Sequence, residues 1–381
     1  MPTRIAHVVE NLNQGGIARV VMSLAAGMRA LHIEADILTL DSRSQYTLNE
    51  QINIRQVPII GLTTSPSPSK LIRRFGHALI GKRGFRHFAS PWFCRQMAHH
   101  VNRNGYDCVF FHGLPVCWSF HRWSQPNAAF VLHSIKSQQV AADTSWWEYK
   151  LYERTFLSKQ FVAVSEAVRK DAIEHFPVDP ARITTINNPL DFEEIKSKAD
   201  DGTPMSFSGI SYFLFVGRLA SEKRVDLLLR AFAKANVSEH LLILGQGPLQ
   251  TNLEQLAAHL SISDRVHFLG FNENPYPYMR LARALVLPSR FEGLSVVMIE
   301  ALAVGTPVIS SRTQAAEEIM TGPLATGLFD IDDEAGLVTK LREAAQGRLP
   351  VTNPEFLQRF DKRMIAKEYL KLAERLSGGR I

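Results

Sequence analysis

Cysteine is scarce: Cys94, Cys108 and Cys117 are the only three in 381 residues, and none form a Cys-x-x-Cys pair. An odd, widely spaced set argues against a disulfide framework or a zinc ribbon and fits a reducing cytoplasm. Long apolar runs are missing too; none approaches the roughly 18 residues that a membrane span needs. The opening Met1-Pro2-Thr3-Arg4 leads into only a few apolar residues before Glu10, too short for a signal-peptide core. No repeat with the period of a solenoid and no low-complexity tract is present. The sharpest absence is local. From Gln51 to Tyr106 there is no Asp or Glu, while nine Lys or Arg occur there, more than the whole chain's net charge of +6.

Those nine cations are Arg55, Lys70, Arg73, Arg74, Lys82, Arg83, Arg86, Arg95 and Arg103, interleaved with Phe75, Phe85, Phe88, Trp92 and Phe93. Cations mixed with bulky aromatics suit an anionic membrane surface, where each Lys or Arg contributes about 1 kcal/mol. A solvated basic surface is the plain alternative. Nucleic acid would also accept such a patch, but no nucleic-acid partner is expected. The expectation is a cytoplasmic protein with peripheral contact to the inner face of the membrane through residues 51–106.

A chain of 381 residues with 45% hydrophobic and 21% charged residues can bury a core in each of about two domains. Strand-like and helix-like runs alternate throughout, which predicts α/β layers with parallel sheets. The first series of predicted strands is Arg4–Val9, Ala35–Leu40, Cys108–Phe111, Ala129–His133, Phe161–Val164 and Ile183–Ile186, with an amphipathic helix near 17–30. A polar stretch around 191–210 reads as a linker. The second series has strands at Tyr212–Val216, His240–Leu244, Val266–Leu269, Ala284–Leu287 and Pro307–Ser310. Its helices fall at Val225–Ala235, Leu249–Leu260, Ser295–Val304 and Glu334–Ala345, and a last amphipathic helix spans about 362–376. The predicted organisation is therefore two doubly wound domains, 1–190 and 211–360, with 361–381 as a final helix. In such sheets ligands lie beyond the carboxyl ends of the strands.

The chemistry concentrates in two segments of the second series. In Leu287–Leu302 a strand ends at Pro288, a glycine turn follows, and a helix runs to the stop signal Gly305-Thr306-Pro307. The turn sets the backbone N–H groups of Gly293, Leu294 and Ser295 at a helix start, a natural anion site. Glu292 and Glu300 flank it and can accept hydrogen bonds from sugar hydroxyls. Glu292 alone could equally be a helix-terminal charge. Glu300 interrupts an apolar helix and needs a polar partner. In Phe213–Lys223 a strand delivers Gly217, Arg218 and Lys223 to its carboxyl end. Both cations could offset charge on a departing diphosphate without a metal; as surface charge they would need no such role.

Weaker signals surround these. Gly15-Gly16 sits between the first strand and first helix, where backbone can approach a ligand. Gly245-Gln246-Gly247-Pro248 lacks the third glycine of a dinucleotide fingerprint, so NAD is not supported. Asp330-Ile331-Asp332-Asp333 precedes a helix and suits capping better than metal ligation; no metal site is expected. His112 and His133 lie at predicted strand ends, where a lone His is usually structural. Ser134 and Lys136 make His133 the better polar-site candidate.

Taken together, these motifs resemble the GT-B-fold retaining glycosyltransferases of family 4 (glycosyl transferases group 1). The resemblance is strong over 212–320 and weaker over 4–191. It is carried by Gly15-Gly16-x-x-Arg19, Val164-Ser165-Glu166, Asn188, Gly217-Arg218 with Lys223, Gly245-x-Gly247-Pro248 and, most specifically, Glu292-x7-Glu300. Near the donor sugar, Thr313–Glu318 lacks the glycines usual in the family. The resemblance implies two Rossmann-like domains facing across a cleft, an N-terminal one for the acceptor and a C-terminal one for the nucleotide-sugar. The last helix would cross back to the first domain. Arg218 and Lys223 would bind the donor diphosphate, Glu292 with Gly293–Ser295 the sugar and phosphate, and Glu300 the ribose. Leu269, Gly270 and Phe271 would line the base, Gly16 would approach the donor, and His133 would face the sugar.

The implied reaction is a metal-independent, retaining hexosyl transfer from a nucleotide-diphosphate-sugar co-substrate, with no further cofactor. Family members are thought to let the leaving phosphate help deprotonate the acceptor hydroxyl, so no protein nucleophile is required. The acid-free stretch suggests a glycan or lipid-linked glycan acceptor, as in bacterial lipopolysaccharide, O-antigen or capsule synthesis. Two alternatives stay open: a non-hydrolysing nucleotide-sugar epimerase, and a non-catalytic glycan or lipid binder on the same scaffold.

Overall fold

Strands such as Tyr-Phe-Leu-Phe-Val and Cys-Val-Phe-Phe-His carry almost no polar side chain, because both faces of a parallel sheet are covered by helices. The computed structural model describes residues 3–12, 16–40, 53–57, 59, 84–135, 137, 159–201, 207, 209–351 and 354–378. The chain divides into two compact units, Met1–Leu190 with Phe360–Ile381, and Asp191–Arg359.

The first unit contains strands β1 (Arg4–Val9), β2 (Glu34–Thr39), β3 (Asn53–Gln56), β4 (Cys108–His112), β5 (Ala128–Leu132), β6 (Phe161–Ala163) and β7 (Ile183–Thr185). They form one sheet in the order β3-β2-β1-β4-β5-β6-β7, with every pairing parallel. Strand order reverses between β1 and β4, the position where such sheets place ligands. The helix Gly16–Arg29 follows β1 and buries Val20, Leu24 and Met28. It packs on the last helix, Lys362–Leu376, so closely that a Cβ at Gly27 would lie 2.2 Å from the Lys362 carbonyl. Asp361 caps that last helix by accepting from the Arg363 N–H at 2.8 Å, and Tyr369 on it is buried.

The second unit contains β8 (Tyr212–Val216), β9 (His240–Leu244), β10 (Val266–Gly270), β11 (Ala284–Leu287), β12 (Val308–Ser311) and β13 (Leu328–Phe329). Its sheet runs β10-β9-β8-β11-β12-β13, again parallel throughout, and reverses between β8 and β11.

Two expectations need correction. The stretch read as a linker, 191–210, contains a nine-residue helix, Phe192–Asp200, capped by Asp191 and belonging to the second unit. Its polar residues are a solvated face, while Ile195 and Ala199 are buried; the Asn274 side chain donates to the Lys198 carbonyl at 2.9 Å. The basic stretch is also less uniform than its sequence. Phe85 and Phe93 are core residues, Arg86 pairs with Glu10, and Arg55 reaches the buried Asp36 at 3.4 Å. Among the described residues, the aromatics and basic side chains of the stretch that stay exposed are Arg55, Phe88, Trp92, Arg95, His99 and Arg103. Thr63–Ser69, Lys70, Arg73, Arg74, Phe75, Lys82 and Arg83 lie outside the described residues.

Candidate functional site

In the second unit the carboxyl ends of three adjacent strands are clasped backbone to backbone. The Gly217 N–H donates to Leu244 O at 2.9 Å, Leu219 N–H to Gln246 O at 3.0 Å, and Gly245 N–H to Gly270 O at 2.7 Å. Gly245 has φ +141°, and a Cβ there would sit 1.8 Å from the Gly217 carbonyl. No side chain fits, so the Gly245-x-Gly247 turn is first a closure device for β8 and β9. Leu269, Gly270 and Phe271, expected around a base, end β10 half-buried on the same edge.

The turn after β8 carries Arg218 and Lys223. Arg218 is exposed and makes no side-chain hydrogen bond or ion pair among the described residues. Lys223 Nζ lies 2.6 Å from Glu292 Oε1, with both side chains mostly buried. Ser289 Oγ donates to the same oxygen at 2.8 Å. The turn after β11 is thus tied to the turn after β8, and the Arg290 N–H strengthens the tie by donating to Glu222 O at 2.9 Å. Behind it, Ser311 Oγ donates to the Ser289 carbonyl, fixing the end of β11 from β12. A charge-assisted pair in a partly dry setting is stronger than one in water.

Gly293, Leu294 and Ser295 are buried and lead into the helix Val296–Ala303; the Ser295 side chain makes no capping hydrogen bond. Glu300 is on that helix, 1% exposed, and accepts from Tyr276 Oη at 3.1 Å. A buried carboxylate is retained only with hydrogen-bonding partners, and Tyr276 is one the sequence did not single out. Asp333 caps the Glu334–Ala345 helix by accepting from the Gly336 N–H at 3.0 Å. Its neighbour Asp332 holds Arg290 at 3.0 Å and also pairs with Arg224, so this acidic run serves structure. No group of metal-ligating side chains occurs among the described residues.

In the first unit Gly16 opens the first helix, is exposed, and has nothing within 4 Å of where a Cβ would be; Gly15 and Lys136 lie outside the described residues. His133 follows β5, and its Nε2 lies 3.1 Å from Nδ1 of His112 at the end of β4. His112 Nε2 in turn lies 3.0 Å from Nδ1 of His7 in β1. Burial pushes the His7 imidazole down to about 3, and burial, with the neighbouring imidazoles second, holds His112 well below its usual value. Both rings are neutral at ordinary pH. The structure therefore joins His133 to two histidines that sequence reasoning did not connect to it.

A family profile described as "Glycosyl transferases group 1" matches residues 206–362, and one described as "Glycosyltransferase Family 4" matches 14–194. An uncharacterized glycosyltransferase of Methanocaldococcus jannaschii is 30% identical over 332 residues, covering 80% of this chain and 79% of that one. The chain belongs to the group 1, family 4 glycosyltransferases. A Campylobacter jejuni N-acetylgalactosamine-N,N'-diacetylbacillosaminyl-diphospho-undecaprenol 4-alpha-N-acetylgalactosaminyltransferase is 32% identical over 212 residues, 53% of this chain and 56% of that one. The lipopolysaccharide core biosynthesis glycosyltransferase LpsD of Rhizobium meliloti is 32% identical over 166 residues, 42% of this chain and 48% of LpsD. The chain thus spans about half the length of these two relatives. Among solved structures, the sucrose-phosphate synthase of Thermosynechococcus elongatus superposes with a TM-score of 0.76 at 18% identity, covering 99% of both chains. Anabaena Alr3699/HepE, solved in complex with UDP and glucose, gives 0.75 at 16% identity, covering 98% of this chain and 100% of that one. The fold of this glycosyltransferase is GT-B: two parallel-sheet, Rossmann-like α/β units.

Proposed function

We propose that this glycosyltransferase transfers a hexose from a nucleotide-diphosphate-sugar, with retention of configuration, to a lipid-linked glycan acceptor of bacterial surface polysaccharide synthesis. The observation that carries the reading is the Lys223–Glu292 pair, 2.6 Å apart at the strand reversal of the second sheet, with the exposed Arg218 on the same turn. A half-buried lysine held by one carboxylate is positioned before any ligand arrives, and so meets little reorganisation cost when charge develops nearby. In this reading Lys223 and Arg218 neutralise the departing diphosphate, which is why the reaction needs no metal. Glu292 holds Lys223 in place and reaches the transferred sugar. Gly293–Ser295 offer backbone N–H groups to a phosphate.

Glu300, oriented by Tyr276, accepts hydrogen bonds from the ribose hydroxyls. Leu269, Gly270 and Phe271 contact the base. Gly15, Gly16 and His133 keep the roles that the family implies, close approach to the donor and contact with its sugar. Catalysis then rests on positioning and charge stabilisation, with the leaving phosphate assisting removal of the acceptor proton.

Two observations support the acceptor class. The Campylobacter relative is named for a diphospho-undecaprenol acceptor and LpsD for lipopolysaccharide core synthesis. On this chain the surface-facing Trp92, Arg95, His99 and Arg103 recur at helical spacing along Ser90–Arg103, with Phe88 one turn before. That stripe of aromatics and cations is suited to an anionic lipid surface on the cytoplasmic side. No helix among the described residues is long and apolar enough to cross a membrane.

Thermal denaturation against a panel of nucleotide-sugars tests the reading. A true donor stabilises the fold, by about 2.7 kcal/mol at 100 times its dissociation constant. A panel with no shift would sink it. Incubating the best donor without acceptor then separates transfer from epimerisation: an intact sugar supports transfer, an epimerised one does not.

A further inference from the structure

Asp332 differs from its acidic neighbours in what it holds. Asp333 caps the helix Glu334–Ala345, and Asp330 pairs with Arg312 at 3.3 Å on the exposed surface. The Asp332 carboxylate instead meets two arginines, one from each turn of the candidate donor site. Arg290 Nε lies 3.2 and 3.0 Å from its two oxygens, and Arg224 Nη1 pairs with Oδ1. Arg224 directly follows Lys223, and Arg290 stands two residues before Glu292. Arg224 and Asp332 both hold left-handed backbone, with φ of +49° and +63°. In a non-glycine residue that conformation persists where the surroundings impose it, and here an ion pair joins the two. Were the carboxylate absent, Arg224 would keep Asp226 at 3.1 Å. Arg290 would have no acidic partner among the described residues, and two guanidinium groups from neighbouring turns would repel each other with less to offset them.

We propose that Asp332 is a positioning residue for the transfer reaction: by holding Arg224 and Arg290 together it keeps the turns that carry Lys223 and Glu292 in register while the diphosphate is bound. The tie lies wholly within the second unit; its bearing on catalysis rests on the proposed function. The need for it arises when the ligand arrives. Once Lys223 turns toward a phosphate, its charge is shared between two anions and its hold on Glu292 weakens. A carboxylate outside that pair, engaged with both turns, preserves their spacing at that moment.

Two variants test this. Asp332→Gly removes the carboxylate and suits the left-handed backbone. Asp332→Asn also tolerates that backbone and keeps one acceptor oxygen. Exposed ion pairs add little to global stability, so the urea midpoints of both should stay close to wild type. In Asp332→Gly kcat should fall roughly 10- to 100-fold, the upper figure being the cost of about 1 Å of misplacement. The loss should be smaller in Asp332→Asn, and KM for the donor should change less than kcat in both. Hydrogen–deuterium exchange of the ligand-free protein reads the tie without any substrate: residues 217–224 and 288–295 should both exchange faster in Asp332→Gly. Wild-type kcat in Asp332→Gly overturns the inference, as does faster exchange confined to residues 330–336. So does a kcat that falls only in step with the urea midpoint, the mark of a merely structural role. Should Asp332→Gly fail to fold, the same readings on Asp332→Asn decide. A wild type that turns over no nucleotide-sugar overturns the donor reading, a result distinct from unchanged exchange in the two turns, which overturns the tie itself.

Discussion

Both sheets reverse strand order beside their first strand, at β1/β4 in one unit and β8/β11 in the other. They finish that edge with different chemistry. The second unit uses backbone clasps that exclude a Cβ and an ion pair, Lys223–Glu292, at 2.6 Å. The first unit uses three imidazoles in a row, the inner two buried and uncharged. An ion pair supplies field strength and suits a ligand that carries charge. A neutral chain supplies direction without field and suits a ligand that carries only hydroxyls. One topology thus carries two kinds of strand-end chemistry, because the strand ends fix where side chains emerge and leave their chemistry open.

Glycine substitution should separate the units most sharply. Gly245→Ala drives a Cβ into the Gly217 carbonyl and should destabilise the protein by about 3 kcal/mol or more, or prevent folding. Gly16→Ala meets nothing and should stay within about 1 kcal/mol by urea denaturation. Equal losses in the two variants would remove the distinction. Next in size, Lys223→Ala should cost roughly 100- to 1,000-fold in kcat, the range for losing one preorganised electrostatic group. Near-normal transfer would contradict the diphosphate role.

A change of pH should act on stability mainly through the first unit's histidines. His7 is held down to about 3 and His112 well below its ordinary value, both by burial, while an unfolded imidazole titrates near 6.5. Their folded forms are neutral, so the unfolded chain binds more protons below that value. The contribution is complete above about pH 6.5 and is lost as pH falls toward 3, at up to about 1.4 kcal/mol per pH unit for each ring. Urea midpoints from pH 7 to 5 should therefore fall less steeply in His112→Gln; an unchanged slope would show that these rings do not stay neutral. The smallest expected effects are local. Tyr276→Phe removes one hydrogen bond to Glu300 and should weaken donor binding by about 1 kcal/mol in calorimetry, with Glu300→Gln weaker still in affinity. Unchanged affinity in both would count against a ribose contact.

Much of the second unit was legible because its polar residues are neighbours in sequence. Glu292 and Glu300 lie on one turn and the helix it opens, and Gly217, Arg218 and Lys223 follow one strand. The helix at Phe192–Asp200 was not, since a short amphipathic helix with two buried residues has the composition of a linker. The edge strand β3, Asn-Ile-Arg-Gln, has no apolar alternation to betray it and is held by pairing with β2. Among the site residues, Tyr276 carries no motif; only its distance to Glu300 reveals it.

What the amino-acid order determined by itself was periodicity and local punctuation: two α/β series, their strand ends, and the residue types delivered there. Those depend on interactions within a few residues, which sequence spacing encodes. Only the tertiary structure decided which distant groups share a hydrogen. His7 and His112 are separated by 105 positions, His112 and His133 by 21, yet parallel pairing of β1, β4 and β5 sets them side by side. A hydrogen bond acts over about 3 Å of space, whatever the length of chain between its partners.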